Sequence, residues 1–152
     1  MIRLSTLLLG LVLLTGSACK KRNQVPESAS IVLSKTACFG TCPIYQMTIN
    51  GNGLATFEGE RFTDKIGSFS KQLTEQETKD LFRQLATYDW NSFQDSYPTQ
   101  VTDLPSVIFH FNFKDVKKKV SVRGEHPPTL DVINNMLSNI AESDGWTSSN
   151  SK

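Results

Sequence analysis

Alternating apolar and polar residues predict a β-hairpin in the first half of the chain. The alternation runs from Tyr45 to Ile49 and again from Ala55 to Phe57, on either side of an Asn-Gly-Asn-Gly run. A period of two is typical of strands that bury one face, and asparagine and glycine tolerate the positive φ angles of a tight turn. We therefore expect two antiparallel strands joined at residues 50–53.

Further strands follow from similar patterns. Residues 31–33 and 65–73 each predict one strand, and residues 107–113 and 116–122 predict a second hairpin. Three lysines occupy positions 117–119 in the last of these strands. Lysines there are typical of a solvated strand edge, and contact with anionic head groups or acidic glycans is the alternative.

Two segments show the three-and-four spacing of an amphipathic helix. Thr74 and Glu77 match a capping box, in which the threonine hydroxyl and the glutamate carboxylate accept hydrogen bonds from backbone amides. Two prolines at 127–128 precede the second segment, and proline is common in a first helical turn. The predicted apolar stripes are Leu81, Phe82, Leu85 and Tyr88 in the first helix and Leu130, Ile133, Leu137 and Ile140 in the second.

These elements predict an α+β fold with a mainly antiparallel sheet of five or six strands and two helices packed on one face. The chain lacks the strand-helix-strand alternation that a parallel sheet requires. Between the first helix and the second hairpin, residues 89–105 have no period and carry Trp90, Phe93 and Tyr97. We expect an ordered aromatic loop there, because such rings seldom stay in water.

The N-terminal sequence predicts export. Arg3 precedes an apolar run at residues 7–14, and small residues follow at 15–18. This order is typical of a secretory signal peptide, which we assign to residues 1–18. The apolar run is well short of the ~20 residues that a membrane-spanning helix needs.

Cys19, directly after the small residues, resembles the lipidation site of bacterial lipoproteins. There the cysteine receives a diacylglycerol, with acyl chains such as palmitate, and becomes the mature N-terminus. We expect secretion and a lipid anchor in a bacterial cell-envelope membrane, the outer membrane. We assign residues 19–30 to the lipidated cysteine and a flexible tether, residues 31–146 to a single α+β domain, and residues 147–152 to a frayed tail.

Charge and motifs restrict the function. The 152 residues carry 16 Lys and Arg against 15 Asp and Glu, and removing Arg3 with the signal peptide leaves 15 against 15. A neutral domain lacks the basic excess that nucleic-acid binding needs. The chain contains no Walker loop, Gly-x-Ser-x-Gly elbow or His-Glu-x-x-His pair, so we leave catalysis open and favour a non-enzymatic role.

Cys38 and Cys42 are the strongest candidates for a chemical role. With Cys19 acylated they remain as a pair in an oxidising compartment, and their spacing allows a disulfide if Gly40 permits the turn. Such a disulfide would act as a structural clip on the entrance to the first hairpin, with no cofactor.

Copper or thiol-redox chemistry is the alternative for this pair. Thiolates select Cu(I), and a closely spaced pair can relay electrons. The Cys-x-x-x-Cys-Pro pattern resembles the loop of membrane-anchored copper chaperones of the cytochrome oxidase assembly type, although those proteins have a helix after the motif where this chain predicts a strand. A further ligand would come from Met47, His110 or His126.

Three short motifs carry a family resemblance. They are Lys-Thr-Ala-Cys-Phe-Gly-Thr-Cys-Pro-Ile-Tyr at 35–45, Gly-Asn-Gly at 51–53 and Thr-Asp-Leu-Pro at 102–105. With them the chain resembles, over residues 30–142, a family of bacterial lipoproteins catalogued as a domain of unknown function. The resemblance implies a small, extracytoplasmic, lipid-anchored domain and no known substrate. The positions that match the recurrent motif, where a site would lie, are Cys38, Gly40, Cys42, Pro43, Tyr45 and Asp103.

Two functions from different classes remain open. In the first, the protein is a non-catalytic binding or structural module of the envelope, with a disulfide clip and an aromatic surface for a protein or glycan partner. In the second, the cysteine pair binds Cu(I) or relays electrons. For Asp103, capping a turn is favoured over acting as a general base. The aromatic surface of the first hypothesis comprises Tyr88, Trp90, Phe93 and Tyr97.

Overall fold

The structure is a computed structural model that describes residues 24–149. Strands make up much of it. The helices are Glu75–Leu85 (α1) and Pro128–Glu142 (α2), and Trp90–Ser92 forms one turn of 3-10 helix. The strands are Ser30–Lys35 (β1), Ile44–Asn50 (β2), Leu54–Arg61 (β3), Gly67–Gln72 (β4), Ser96–Tyr97 (β5), Val107–Phe113 (β6), Val116–Val122 (β7) and Thr147–Ser148 (β8).

All these strands belong to one mixed sheet with the order β5-β7-β6-β1-β2-β3-β4-β8. Neighbouring strands pair in antiparallel fashion except β5 and β7, which run parallel. The fold is α+β, but the prediction of a mainly antiparallel sheet of five or six strands was wrong. The sheet has eight strands in the described residues, and it is mixed.

The two strands that the sequence analysis missed are the edges of the sheet. β5 lies in the aromatic segment and pairs with Ser121 and Val122 of β7. β8 lies in the segment predicted as a frayed tail and pairs with Phe69 and Ser70 of β4. Each strand is two residues long. Two residues are too few to show a period, so only tertiary contacts place these strands.

One face of the sheet forms the hydrophobic core beneath both helices. The Phe82 ring of α1 stacks on Phe113 of β6, with centroids 5.6 Å apart. After α2, Trp146 packs on Phe57 of β3 with centroids 5.6 Å apart. The largest fully buried side chains are Trp90, Phe57, Phe82, Phe109, Phe111, Ile31, Leu33, Met47, Ile49, Leu85, Leu130 and Ile133.

The two ends of the sheet carry different connections. The turn end has the tight turns at 51–53 and 114–115 and the start of β1. The loop end has the loops 36–43, 62–66 and 98–106, together with residues 123–127 before α2. The chain therefore enters the sheet at one end and carries its cysteine pair at the other.

The described part of the predicted tether packs against the turn end. The Ala29 N–H donates to the Pro26 carbonyl at 2.9 Å, and Ala29 is buried. A Cβ at Gly51 would lie 1.9 Å from the Pro26 oxygen, so this close approach requires glycine. The predicted signal peptide and Cys19 lie outside the described residues. Between residues 24 and 149, no helix is long and apolar enough to cross a membrane.

Candidate functional site

The loop between β1 and β2 is closed by a disulfide. Cys38 and Cys42 are bonded, with their Cα atoms 5.7 Å apart, which is ordinary for a disulfide. The structure thus contains the disulfide that the sequence predicts. It encloses a short ring at the loop end, and Phe39 lies within that ring.

Apolar side chains project from the loop end into solvent. The strand pairings place the loops 62–66 and 98–106 on either side of the disulfide ring. Large apolar side chains are usually buried, so their concentration at one end is informative. We call the set the apolar loop cluster; it comprises Phe39, Phe62, Ile66, Val101 and Leu104, which are 91%, 50%, 60%, 52% and 41% exposed.

Other exposed large hydrophobic residues are few in the described part of the chain. Leu54 lies at the turn end and is 37% exposed, and Val132 lies on α2 and is 51% exposed. Because neither lies in the three loops that form the apolar loop cluster, these two residues serve as its controls.

Hydrogen bonds fix the disulfide ring against the β5–β6 loop. The Phe39 N–H donates to the Asp103 carbonyl at 3.3 Å. The Thr36 N–H donates to the Ser106 carbonyl at 3.0 Å, and the Ser106 N–H donates to the Thr36 hydroxyl oxygen at 2.8 Å. These bonds join two loops that are distant in sequence, since Thr36 and Ser106 are 70 residues apart.

Arg123 and Gly124 support the β5–β6 loop from its other side. The Arg123 guanidinium donates to the Leu104 carbonyl at 3.1 Å and also to the Thr102 carbonyl. A Cβ at Gly124 would lie 2.2 Å from the Pro98 oxygen, so the two backbones approach more closely than any larger residue permits. The backbone of this loop is therefore held while its apolar side chains stay outside.

The β3–β4 loop folds back over Gly59. A Cβ at Gly59 would lie 1.7 Å from the Lys65 carbonyl oxygen, so only glycine fits this position. The Lys65 ammonium lies 5.6 Å from the centre of the Phe57 ring, at cation–π distance. Lys65 thereby anchors the loop and leaves Phe62 and Ile66 exposed beside it.

Tyr45 lies beneath the loop end, on the core side of β2. Its ring stacks on Phe57 with centroids 4.9 Å apart, and the Lys35 ammonium lies 5.4 Å from its centre. Burial raises the pKa of Tyr45; the Ser138 hydroxyl opposes this rise and Glu142 adds to it. The hydroxyl makes no well-formed hydrogen bond within the described residues. Tyr45 therefore supports the site from below and does not line it.

The remaining motif positions lie at the loop end with different roles. Gly40 and Pro43 are exposed in the β1–β2 loop. A Cβ at Gly40 would meet only the Cys38 sulfur, at 3.7 Å. Contrary to the expectation, the turn therefore does not require glycine at this position. Asp103 is exposed; its carboxylate accepts from the Thr102 hydroxyl at 3.0 Å, and its backbone holds the ring.

The candidate copper ligands do not gather around the cysteine pair. Met47 is buried in the core at 1% exposure, and His110 lies on the opposite, solvent-facing side of the sheet. His126 is bonded through Nδ1 to the Gly124 carbonyl at 2.6 Å and through Nε2 to the Asp131 carboxylate at 3.0 Å. No group of three His, Cys, Asp or Glu residues that could hold a metal occurs within residues 24–149.

The two histidines have opposite electrostatics. The bond to the Gly124 carbonyl raises the pKa of His126, and Asp131 adds to this effect. Both partners are acceptors, so the doubly protonated imidazolium satisfies them together. Burial lowers the pKa of His110, and the neighbouring Lys119 adds to that decrease.

The predicted aromatic surface does not exist as such. Tyr88 is only half-buried, but the other three rings belong to the core, where Trp90 stacks on Phe111 with centroids 4.5 Å apart. The exposed fractions are 1% for Trp90, 7% for Phe93 and 8% for Tyr97. The hypothesis that these rings meet a partner was therefore wrong, because the sheet has an apolar face large enough to bury them.

The exposed residues that replace them were missed in the sequence. Phe62 and Ile66 stand alone in a polar stretch, and Val101 and Leu104 flank Asp103. An isolated apolar residue in a polar loop is a weak signal, because single exposed hydrophobic residues are common. Only the strand order brings these residues together with Phe39.

The structure defines a small α+β domain with a disulfide-closed loop at one end. Residues 29–141 match the model of a family described as a domain of unknown function, DUF6438, and the chain belongs to this family. The expected membership in a family of unknown function is thus confirmed. No curated protein and no solved structure matches the chain.

Proposed function

We propose that the protein is a lipid-anchored, non-catalytic binding module of a bacterial cell envelope and that it contacts a protein partner through the apolar loop cluster. The observation that carries the proposal is Phe39, which is 91% exposed within a ring closed by the Cys38–Cys42 disulfide. Aromatic residues contribute strongly to protein interfaces, and side chains positioned in advance lose little entropy on binding.

The path of the chain supports an orientation away from the membrane. The chain enters β1 at the turn end, and residues 24–29 pack there, whereas the apolar loop cluster lies at the opposite end of strands about 20 Å long. From Cys19 to Gln24 the chain can span at most ~18 Å. A lipid on Cys19 would therefore hold the turn end near the bilayer and present the loop end to other proteins.

Site-specific photo-cross-linking in the producing bacterium tests the binding role. A photoreactive amino acid replaces Phe39 or Phe62 in the full chain, and the matched controls carry it at Leu54 or Val132. We expect an adduct of one defined mass from the two loop-end positions and none from the controls. Equal adducts from all four positions, or none from the loop end, would refute a specific surface there.

Metabolic labelling with palmitate tests the anchor. The wild-type protein should incorporate the label and sediment with membranes, and Cys19→Ser should remain unlabelled, because the acylated thiol is absent. Two or more acyl chains are enough for stable anchoring. Label on the serine variant, or an unlabelled wild-type protein, would contradict lipidation at Cys19.

A further inference from the structure

The edge of the sheet along β7 is paired over only part of its length. The edge strand β5 pairs with β7 only at Ser121 and Val122. Within residues 24–149 no other strand lies beside β7 on this side, although β7 begins at Val116. Residues 116–120 therefore have no strand partner on this side, although the 3-10 turn Trp90–Ser92 lies close to β7.

Backbone groups of Lys117 and Lys119 face this edge. The Ser121 N–H donates to the Asp95 carbonyl at 2.9 Å and the Arg123 N–H donates to the Tyr97 carbonyl at 3.0 Å, so these residues face away from β6. The direction of backbone groups alternates along an antiparallel strand. Lys117 and Lys119 therefore direct their N–H and C=O groups to the same side, where β5 no longer covers β7.

The side chains along the edge are basic. Lys117 and Lys119 are exposed, and Lys119 lies opposite His110 of β6 in the strand register. The neighbouring Lys118 binds the Asp95 carboxylate at 2.7 Å. Asp95 directly precedes β5. The chain's own edge strand therefore already brings a carboxylate into contact with a lysine of β7.

We propose that the β7 edge binds an extended acidic segment of a partner protein, which joins the sheet as an additional strand. The backbone of the segment pairs with Lys117 and Lys119, and carboxylates at alternating positions contact the two lysine side chains. Main-chain bonds supply affinity in this mode of recognition, and side-chain contacts supply selectivity. Lysines on an edge oppose pairing between like edges. The same charge favours an acidic strand, and this site is independent of the apolar loop cluster.

The charge requirement can be tested with the purified full chain and a labelled synthetic peptide. The probe is a blocked peptide in which glutamate alternates with threonine over six residues, measured by fluorescence anisotropy at low salt. We expect binding that falls about tenfold in Lys117→Glu/Lys119→Glu, since two ion pairs are lost. Arg83→Glu on α1 changes charge in the same direction and should leave binding nearly unchanged.

Strand addition is separated from simple charge attraction by blocking the backbone. The same peptide with alternate amides N-methylated should bind about tenfold more weakly. Lys119→Pro should have a similar effect, because proline is tolerated where an edge N–H faces solvent and the β6–β7 bonds remain. In the complex, amide hydrogen exchange should slow at Lys117 and Lys119.

Two results would overturn the proposal. If the N-methylated peptide binds the unchanged protein as tightly as the original, the lysines attract acidic chains without strand addition. If the original peptide does not bind, the lysines only protect the edge. The N-methylated peptide still tests strand addition if Lys119→Pro fails to fold, because it is measured with the unchanged protein.

Discussion

The two ends of the sheet are stabilised in different ways. At the turn end, α1 covers the strands with buried side chains, as in the contact of Phe82 with Phe113. At the loop end, a disulfide, backbone hydrogen bonds and close approaches at Gly59 and Gly124 hold the loops, and the apolar side chains remain in solvent.

This difference separates stability from recognition. Burial of apolar surface contributes most of the folding free energy, so the turn end can be changed only at a high cost. At the loop end the disulfide and backbone contacts hold the loops above the buried Tyr45, and the exposed side chains of these loops are free to contact a partner. Substitutions at the two ends should therefore affect different measurements.

The largest expected effect contrasts two phenylalanines. Phe82→Ala should lower the free energy of unfolding by about 4 kcal/mol, because a fully buried ring is replaced by a cavity. Phe39→Ala should change it by less than about 0.5 kcal/mol, because the ring is exposed. Urea unfolding measures both. A Phe39→Ala variant as unstable as Phe82→Ala would show that the ring is buried in solution.

The next effect contrasts two glycines of the loop end. Gly59→Ala should destabilise the protein by about 3 kcal/mol, because the new methyl group collides with the Lys65 carbonyl. Gly40→Ala should be almost neutral, since its methyl group meets only a sulfur at 3.7 Å. Thermal unfolding of the two variants gives the comparison. Equal losses would mean that the β3–β4 loop moves away from Gly59 at little cost.

Removal of the disulfide should have an intermediate effect. Cys38→Ser/Cys42→Ser should lower the free energy of unfolding by about 2 kcal/mol, the value for closing so short a ring. It should also weaken photo-cross-linking at position 39, because Phe39 is no longer held in place. A variant that loses stability but keeps full cross-linking would contradict the role of the disulfide in positioning that residue.

The same cysteines allow a direct comparison with the copper alternative. The intact mass of the purified protein should lie two hydrogens below that of the reduced form, and mild reductant should leave it unchanged. Cu(I) added to fully reduced, folded protein should not be retained tightly. Ready reduction followed by tight retention of one Cu(I) would favour the metal site.

The smallest effect concerns His126 before α2. Its pKa is raised in the folded state, so its contribution to stability is complete below the ordinary histidine pKa of ~6.5 and is lost as the pH rises through the folded value. Asp131→Asn should lower the pKa of His126 in an NMR titration. The contribution of His110 to stability depends on pH with the opposite sign: its pKa is lowered in the folded state, so stability decreases as the pH falls.

Local patterns predicted the elements with many residues. The first hairpin appears as β2 and β3, and the Thr74 hydroxyl accepts from the Glu77 N–H as the capping box requires. These features depend on neighbours in sequence. The strands β5 and β8 could not be predicted, because each has only two residues and pairs with a strand that is distant in the sequence.

The candidate site was predicted only in part, for the same reason. Cys38 and Cys42 could be identified because the spacing of a cysteine pair is visible in one segment. The residues of the apolar loop cluster come from three loops, and three of the four aromatic residues chosen instead are buried. Whether an apolar residue is buried depends on the area of the face that it meets, and that area is a property of the whole sheet.

The sequence by itself determined the two hairpins, the helix start at Thr74 and the close spacing of the two cysteines, because each depends on residues a few positions apart. The tertiary structure alone decided the mixed eight-stranded sheet, the partly paired edge of β7 and the apolar loop cluster. Each of these requires the order of strands in the sheet. That order depends on which apolar faces can be buried together, and no short segment contains that information.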